Sequence, residues 1–96
     1  MTERTLTVPT VHLNGTGKDD LLNQLYDAYE AVGHALDVMR KAGPNGRDYY
    51  PQGTDALRNA QDEHQARATK LHQVQIEVEA IIIAINDGSE AVVMFD

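Results

Sequence analysis

The chain has 96 residues, a length that suits one small domain, residues 1–96. Fifteen acidic residues against eight basic ones leave a net charge of −7, which argues against direct nucleic-acid binding because neutralising phosphates requires a cationic face. There is no cysteine, so disulfides, thiolate metal sites and cysteine nucleophiles are excluded. Since there is neither a membrane-spanning run nor a signal peptide, we expect an intracellular protein without a membrane partner.

Residues 1–17 are expected to be extended. Residues 4–13 are rich in β-branched side chains, but Pro9 lacks the amide hydrogen of a central strand. They are therefore expected to form an edge strand or two short extended pieces. Turn residues at 14–17 end the segment.

Residues 18–42 show the clearest periodicity, and we predict a helix there. Apolar side chains recur at alternating steps of three and four, the spacing of one helix face. These side chains are Leu22, Leu25, Tyr29, Val32, Leu36 and Met39. A second row widens the stripe and consists of Leu21, Ala28, Ala35 and Ala42.

Residues 43–53 are predicted to be a loop because they hold three glycines and two prolines. A second helix is predicted over residues 54–86, with Thr54 as its N-cap and Gly88 just past its end. Its apolar stripe is interrupted by His64 and ends in a run that is apolar almost all round, Ala80–Ile85. Residues 90–95 contain a last apolar run, predicted to be a short strand.

The two helices are expected to pack as an antiparallel hairpin closed by the loop. If Met39 lies near Leu57, then the numbers of any two residues that face each other across the hairpin add up to about 96. The longer second helix then leaves its isoleucine end uncovered, and a helix that is apolar on every side must be buried on every side. The terminal strands, paired with each other, are expected to cover part of it and a second copy the rest.

The predicted fold class is therefore mainly α: an antiparallel helical hairpin with short terminal β-strands, assembled as a homo-oligomeric helix bundle. The expected oligomer interface consists of Ile81, Ile82, Ile83 and Ile85.

No pattern in the chain favours catalysis, so we do not expect an enzyme, a cofactor or a metal. The four histidines lack the i, i+3 or i, i+4 spacing of helical metal ligands. The carboxylates are scattered over outer helix faces, and Ser89 is the only serine. No catalytic residue is therefore assigned.

A polar pocket between the helices is one candidate site. In the expected register Arg67 meets Tyr29, and His64 meets Val32 one turn away. These side chains either satisfy one another as part of the core or line a pocket for a ligand. Both interpretations remain open at this point.

The loop is the most informative candidate. Its eleven residues exceed the usual two to eight of a helix–helix connection, and they include Asn45, Arg47, Tyr49 and Tyr50. Aromatic faces and a guanidinium are typical of sites for planar anionic ligands, with Arg40 and Arg58 as supporting charge. The competing interpretation is a compact plug over the helix ends.

Charge is distributed unevenly along the chain. Six basic and four acidic residues lie between Arg40 and Lys70, whereas the rest of the chain has two basic and eleven acidic ones. The loop end of an acidic protein is thus mildly basic, which steers anions towards it.

Several segments resemble a group of short helical-hairpin proteins encoded by phages and prophages. The distinctive piece is Pro-Asn-Gly-Arg-Asp-Tyr-Tyr-Pro at residues 44–51, and the resemblance extends over residues 10–85. It implies a small phage protein acting in the cytoplasm of a bacterial host, and small acidic phage proteins of this kind often counter host defence.

Two functional hypotheses follow from these observations. The first is a non-enzymatic binding protein that sequesters a small anionic, nucleotide-like signal at the loop, as a homo-oligomer. The second is a protein–protein inhibitor whose acidic surfaces block a bacterial defence effector or nuclease. A structural phage protein without a ligand ranks third.

Overall fold

The computed structural model describes residues 2–95, with only the backbone of Phe95. Along the chain it contains strand β1 (Thr2–Leu6), helix α1 (Lys18–Lys41), helix α2 (Ala56–Asp87) and strand β2 (Ala91–Phe95). The predicted pair of helices and the pairing of two short terminal strands are confirmed, but β1 ends at Leu6, so residues 7–13 of the expected edge strand lie outside it. The second helix begins two residues later than expected, after Asp55 and not Thr54, and it ends one residue later.

Helices α1 and α2 pack side by side and antiparallel, but not in the expected register. The Tyr29 hydroxyl lies 3.1 Å from a Glu79 carboxylate oxygen, and a Cβ on Gly33 would lie 2.7 Å from Nε2 of Gln75. Facing residue numbers therefore sum to about 108. The expected sum of about 96, which placed Met39 near Leu57, is wrong.

The loop accounts for this shift. It does not simply join the two helix ends but folds back along the first turns of α2, so that a Cβ on Gly46 would lie 3.5 Å from Leu57. About the first three turns of α2 therefore extend beyond the end of α1, and the loop lies against their start. In consequence, the far end of α2 lies beside the start of α1 and is not left uncovered.

The strands form a two-stranded antiparallel ribbon in which Leu6 pairs with Ala91 and Thr2 with Phe95. One face of the ribbon packs on α2, where Leu6, Ala91 and Val93 form a buried cluster with Ala84. Gln75 lies on the side of α2 that faces α1. Ala84 comes nine residues later, which at 100° per residue places it on the opposite side of the helix. The ribbon therefore covers the side of α2 opposite α1.

This arrangement corrects the expectation for the isoleucine end of α2. Ile82 and Ile85 are buried within the chain itself, Ile81 is half-buried against the ribbon, and Ile83 alone of the four is exposed. The terminal strands and α1 together cover the isoleucine end of α2. The sequence suggested that a second copy of the chain would provide part of this cover. The reason for placing an oligomer interface on these four residues is therefore removed.

Candidate functional site

The loop between the helices is built from two single 3₁₀ turns, Gly46–Asp48 and Tyr50–Gln52. The Asn45 side chain caps the first turn by accepting a hydrogen bond of 2.9 Å from the Arg47 backbone N–H. Pro51 lies in the second turn, which ends at Gly53 with φ of 111° and ψ of −178°. Glycine adopts this backbone conformation easily, whereas other residues do so only with strain. The loop is thus held by local contacts at both turns.

The two loop tyrosines have different surroundings. Tyr49 is half-buried, while Tyr50 is 77% exposed. Tyr50 borders a concavity of about 380 Å³ whose other lining residues are Gly46, Gly53, Thr54 and Leu57. Of the two rings, that of Tyr50 is therefore the accessible one, a choice that the sequence left open.

The cations of this region divide into two kinds. Arg58 pairs with Asp55 at 2.9 Å, both side chains being at least 70% exposed. By contrast, Arg40 and Arg47 are exposed and make no ion pair with any residue in the range 2–95. A solvent-exposed pair such as Arg58–Asp55 contributes little to stability, but it offsets the charge of Arg58. Of the three arginines predicted to supply charge to the loop site, Arg40 and Arg47 are therefore the unpaired ones.

The structure does not bring the predicted inter-helix pocket together. Tyr29 donates its hydroxyl hydrogen bond to Glu79 and not to a group near Arg67, and Arg67 is exposed. His64 lies beside Gly43, at the end of α1. The prediction of a Tyr29–His64–Arg67 pocket is wrong because it depended on the register that the loop displaces.

Tyr29 instead belongs to a groove that sequence reasoning missed. Its lining residues are Tyr26, Tyr29, Glu79, Ile82 and Ile83, around a volume of about 220 Å³. The hydrogen bond to Glu79 and the charge of that carboxylate raise the pKa of the Tyr29 phenol, because both favour its neutral form. Only the correct helix register would have placed Glu79 beside Tyr29, so the sequence carried no separate signal for this groove.

His64 is distinctive for another reason. Its Nε2 atom is shielded from solvent and lacks a hydrogen-bond partner within the described part of the chain, a state it shares with Nε2 of Gln73. Buried polar atoms are normally paired. The His64 side chain lies beside Gly43, where the loop begins, and is not among the residues that line the concavity at Tyr50.

Across residues 2–95 no three histidine, aspartate or glutamate side chains lie close enough together to hold a metal ion. None of the helices in that range has the length and apolar character needed to cross a membrane. No protein-family model matches the chain, and no curated protein or solved structure matches it either. Functional inference therefore starts from the geometry of the loop.

Proposed function

We propose that this protein is a non-enzymatic phage counter-defence protein that sequesters a small anionic, nucleotide-like ligand at its loop. The observation that carries the proposal is the exposed Tyr50 ring beside the 380 Å³ concavity, close in sequence to the unpaired Arg47. An aromatic face stacks on a planar base, and a guanidinium binds phosphate with two parallel hydrogen bonds. The phage and host context rests on the resemblance of residues 44–51.

The construction of the loop supports binding over mere connection. The Asn45 cap and the two 3₁₀ turns fix the backbone on both sides of Tyr49, and Pro51 limits its freedom in the unfolded chain. A site that is already ordered loses less entropy when a ligand binds. Half-buried Tyr49 anchors the segment while Tyr50 stays available.

Electrostatics favour an anion at this end of the molecule. Arg40 and Lys41 close α1 next to the loop, whereas Asp19 and Asp20 occupy its first turn at the opposite end. The field of the chain therefore directs anions towards the loop despite the overall charge of −7. Asp48 and Asp55 lie nearby and reduce this attraction, although the charge of Asp55 is offset by its pair with Arg58.

The test is the change in melting temperature with a panel of nucleotides and cyclic nucleotides. A ligand at one hundred times its Kd stabilises the folded state by about 2.7 kcal/mol. For a domain of this size that corresponds to a rise of about 10–20 °C. We expect Arg47→Ala to weaken binding by about 1.5–3 kcal/mol, the contribution of a charged hydrogen bond, and Tyr50→Ala to weaken it through lost stacking.

The matched control is Lys18→Ala, which removes one exposed positive charge at the opposite end of α1. This variant is expected to bind as the unmodified chain does. The proposal is wrong if no member of the panel shifts the melting temperature, or if Arg47→Ala and Tyr50→Ala bind with undiminished affinity.

One observation favours the second hypothesis, a protein–protein inhibitor. The flank of the hairpin that carries Tyr26 and Ile83 combines exposed apolar side chains with carboxylates such as Glu30 and Asp37. Such a surface suits a basic protein partner. If this alternative holds, Asp37→Lys abolishes the inhibition of a defence effector in infected bacteria while Arg47→Ala retains it.

A further inference from the structure

Helix α1 carries a second stripe, free of charged side chains and mostly apolar, that does not face α2. Its first stripe is buried against α2 through Leu36. The second stripe recurs at steps of three and four, the heptad spacing by which one helix packs on another. It consists of Leu21, Gln24, Ala28, Ala31, Ala35, Val38 and Ala42. None of these residues is charged, and every one after Leu21 is exposed.

Helix α2 extends this stripe into a two-helix face. Successive residues of a helix are 100° apart. On α1, Ala28 and Ala35 therefore lie on the flank opposite Tyr26. On α2, Val74 lies on the flank opposite Ile83. Since Tyr26 and Ile83 border one groove, the alanines and Val74 share the other side of the hairpin. We call this side the uncharged face; it consists of the second stripe of α1 with Val74 and Val78 of α2.

The two flanks of the hairpin differ in charge. The flank with Tyr26 carries the carboxylates Asp19, Glu30, Asp37 and Glu79, whereas the uncharged face has none and is bordered at its loop end by Arg67. Two copies of a chain with net charge −7 repel each other wherever carboxylates meet. A second copy therefore fits against the uncharged face and not against the acidic flank.

The exposed area is also larger than a monomer of this mass should have. The chain exposes 6977 Å², while a compact 10.6 kDa monomer exposes about 5,500 Å². The excess of about 1,500 Å² lies in the range that each partner of a stable homodimer buries. The extents of 62 × 27 × 17 Å describe a thin rod, and two such rods side by side form a four-helix bundle with a proper core.

We propose that a second copy of this chain packs on the uncharged face, with α1 against α1 and antiparallel. Alanines at the contact let the two helix axes approach closely. Next to the stripe lie Asp20 and Asp27 towards the start of α1, and His34 and Lys41 towards its end. The antiparallel arrangement sets Asp20 of one copy beside Lys41 of the other, and it also aligns the helix dipoles favourably. This inference does not depend on the proposed function.

The first test is the solution mass of Ala35→Glu by sedimentation at micromolar concentration. The unmodified chain is expected to have twice the mass of 10.6 kDa, and the Ala35→Glu variant half of that dimer mass. The variant is expected to keep its helical circular dichroism, because Ala35 is exposed within a single chain. Ala66→Glu makes the same substitution at an exposed alanine of α2, half a turn round that helix from Gln75 and so on the side away from α1, and it is expected to stay dimeric. A monomeric unmodified chain, or an Ala35→Glu dimer, overturns the proposal.

The second test uses the absence of cysteine from the chain. The single variants Gln24→Cys, Ala31→Cys and Val38→Cys are oxidised and separated without reductant. A disulfide needs Cα atoms within about 7 Å, and in the antiparallel pair only position 31, near the two-fold axis, meets its own copy. Cross-linking of Ala31→Cys alone is the expected result. Cross-linking of all three overturns the antiparallel arrangement, and cross-linking of none overturns the interface.

Discussion

At the scale of single residues, the loop depends on Gly53. Its φ of 111° and ψ of −178° fall in a region that essentially only glycine occupies. No atom lies within 4 Å of a Cβ placed there, so any cost of substitution comes from the backbone conformation and not from a clash. The second 3₁₀ turn, which contains Tyr50, ends on this residue.

We predict that Gly53→Ala lowers the free energy of unfolding by about 1–3 kcal/mol, the cost of holding a non-glycine residue in this conformation. The measurement is urea denaturation of the purified variant. Gly17→Ala serves as the control, because Gly17 has an ordinary φ of −61° and open space around its Cβ. An equal loss of stability in both variants would show that the backbone angle is not the cause.

The exposed tyrosine could be chosen only from the structure. Adjacent residues of an extended segment point to opposite sides, so the sequence predicts that one ring of the Tyr49–Tyr50 pair is covered and the other open. Which ring is open depends on how the loop rests on Leu57 of α2.

At the scale of elements, the close packing of the ribbon on α2 depends on a small side chain. Ala84 is 1% exposed and lies in the cluster with Leu6, Ala91 and Val93. Because Ala84 is almost fully enclosed, a larger side chain here must displace the packed side chains of Leu6, Ala91 or Val93. Overfilling such a contact costs about 1–3 kcal/mol.

Ala84→Leu is accordingly expected to lower the melting temperature by about 5–20 °C, given about 4–8 °C per kcal/mol for a domain of this size. Thermal unfolding followed by circular dichroism measures the change. The matched substitution Ala66→Leu lies on an exposed part of the same helix and should leave the melting temperature nearly unchanged. An unaltered melting temperature for Ala84→Leu would contradict the described packing.

The helices were predictable because each carries a long apolar period, and their bounds lie within two residues of the expected ones. The register of α1 on α2, however, was not predictable from the sequence. A stripe that repeats every three or four residues matches its partner equally well after a shift by one or more heptads. In the folded chain the loop lies against Leu57 of α2, and such a loop contact leaves no periodic signature in the sequence.

At the scale of the whole molecule, the hairpin with its ribbon forms a rod with few buried side chains. Its largest extent is 62 Å and its smallest 17 Å, too thin for a core of the usual depth. The dimer proposed above supplies the missing layer. Folding and association are then coupled, as they are for proteins whose monomers bury too little apolar surface.

We therefore predict that the melting temperature rises with protein concentration. A hundredfold increase stabilises a dimer by about 2.7 kcal/mol through mass action, which corresponds to about 5–10 °C for an assembly of this size. Differential scanning calorimetry at several concentrations measures the slope. The Ala35→Glu variant should have the same melting temperature at every protein concentration. A melting temperature of the unmodified chain that does not change with concentration would count against coupled folding and assembly.

By itself the sequence determined the two helices, the extended character of the two terminal segments and the composition of the candidate loop, because periodicity, proline and glycine act locally. Only the tertiary structure decided the register of α1 on α2, the covering of Ile82 and Ile85, the partner of Tyr29 and the exposure of Tyr50. These features depend on where the loop rests on α2, and a contact between distant residues is set by the packing of the whole chain and not by the pattern of either segment.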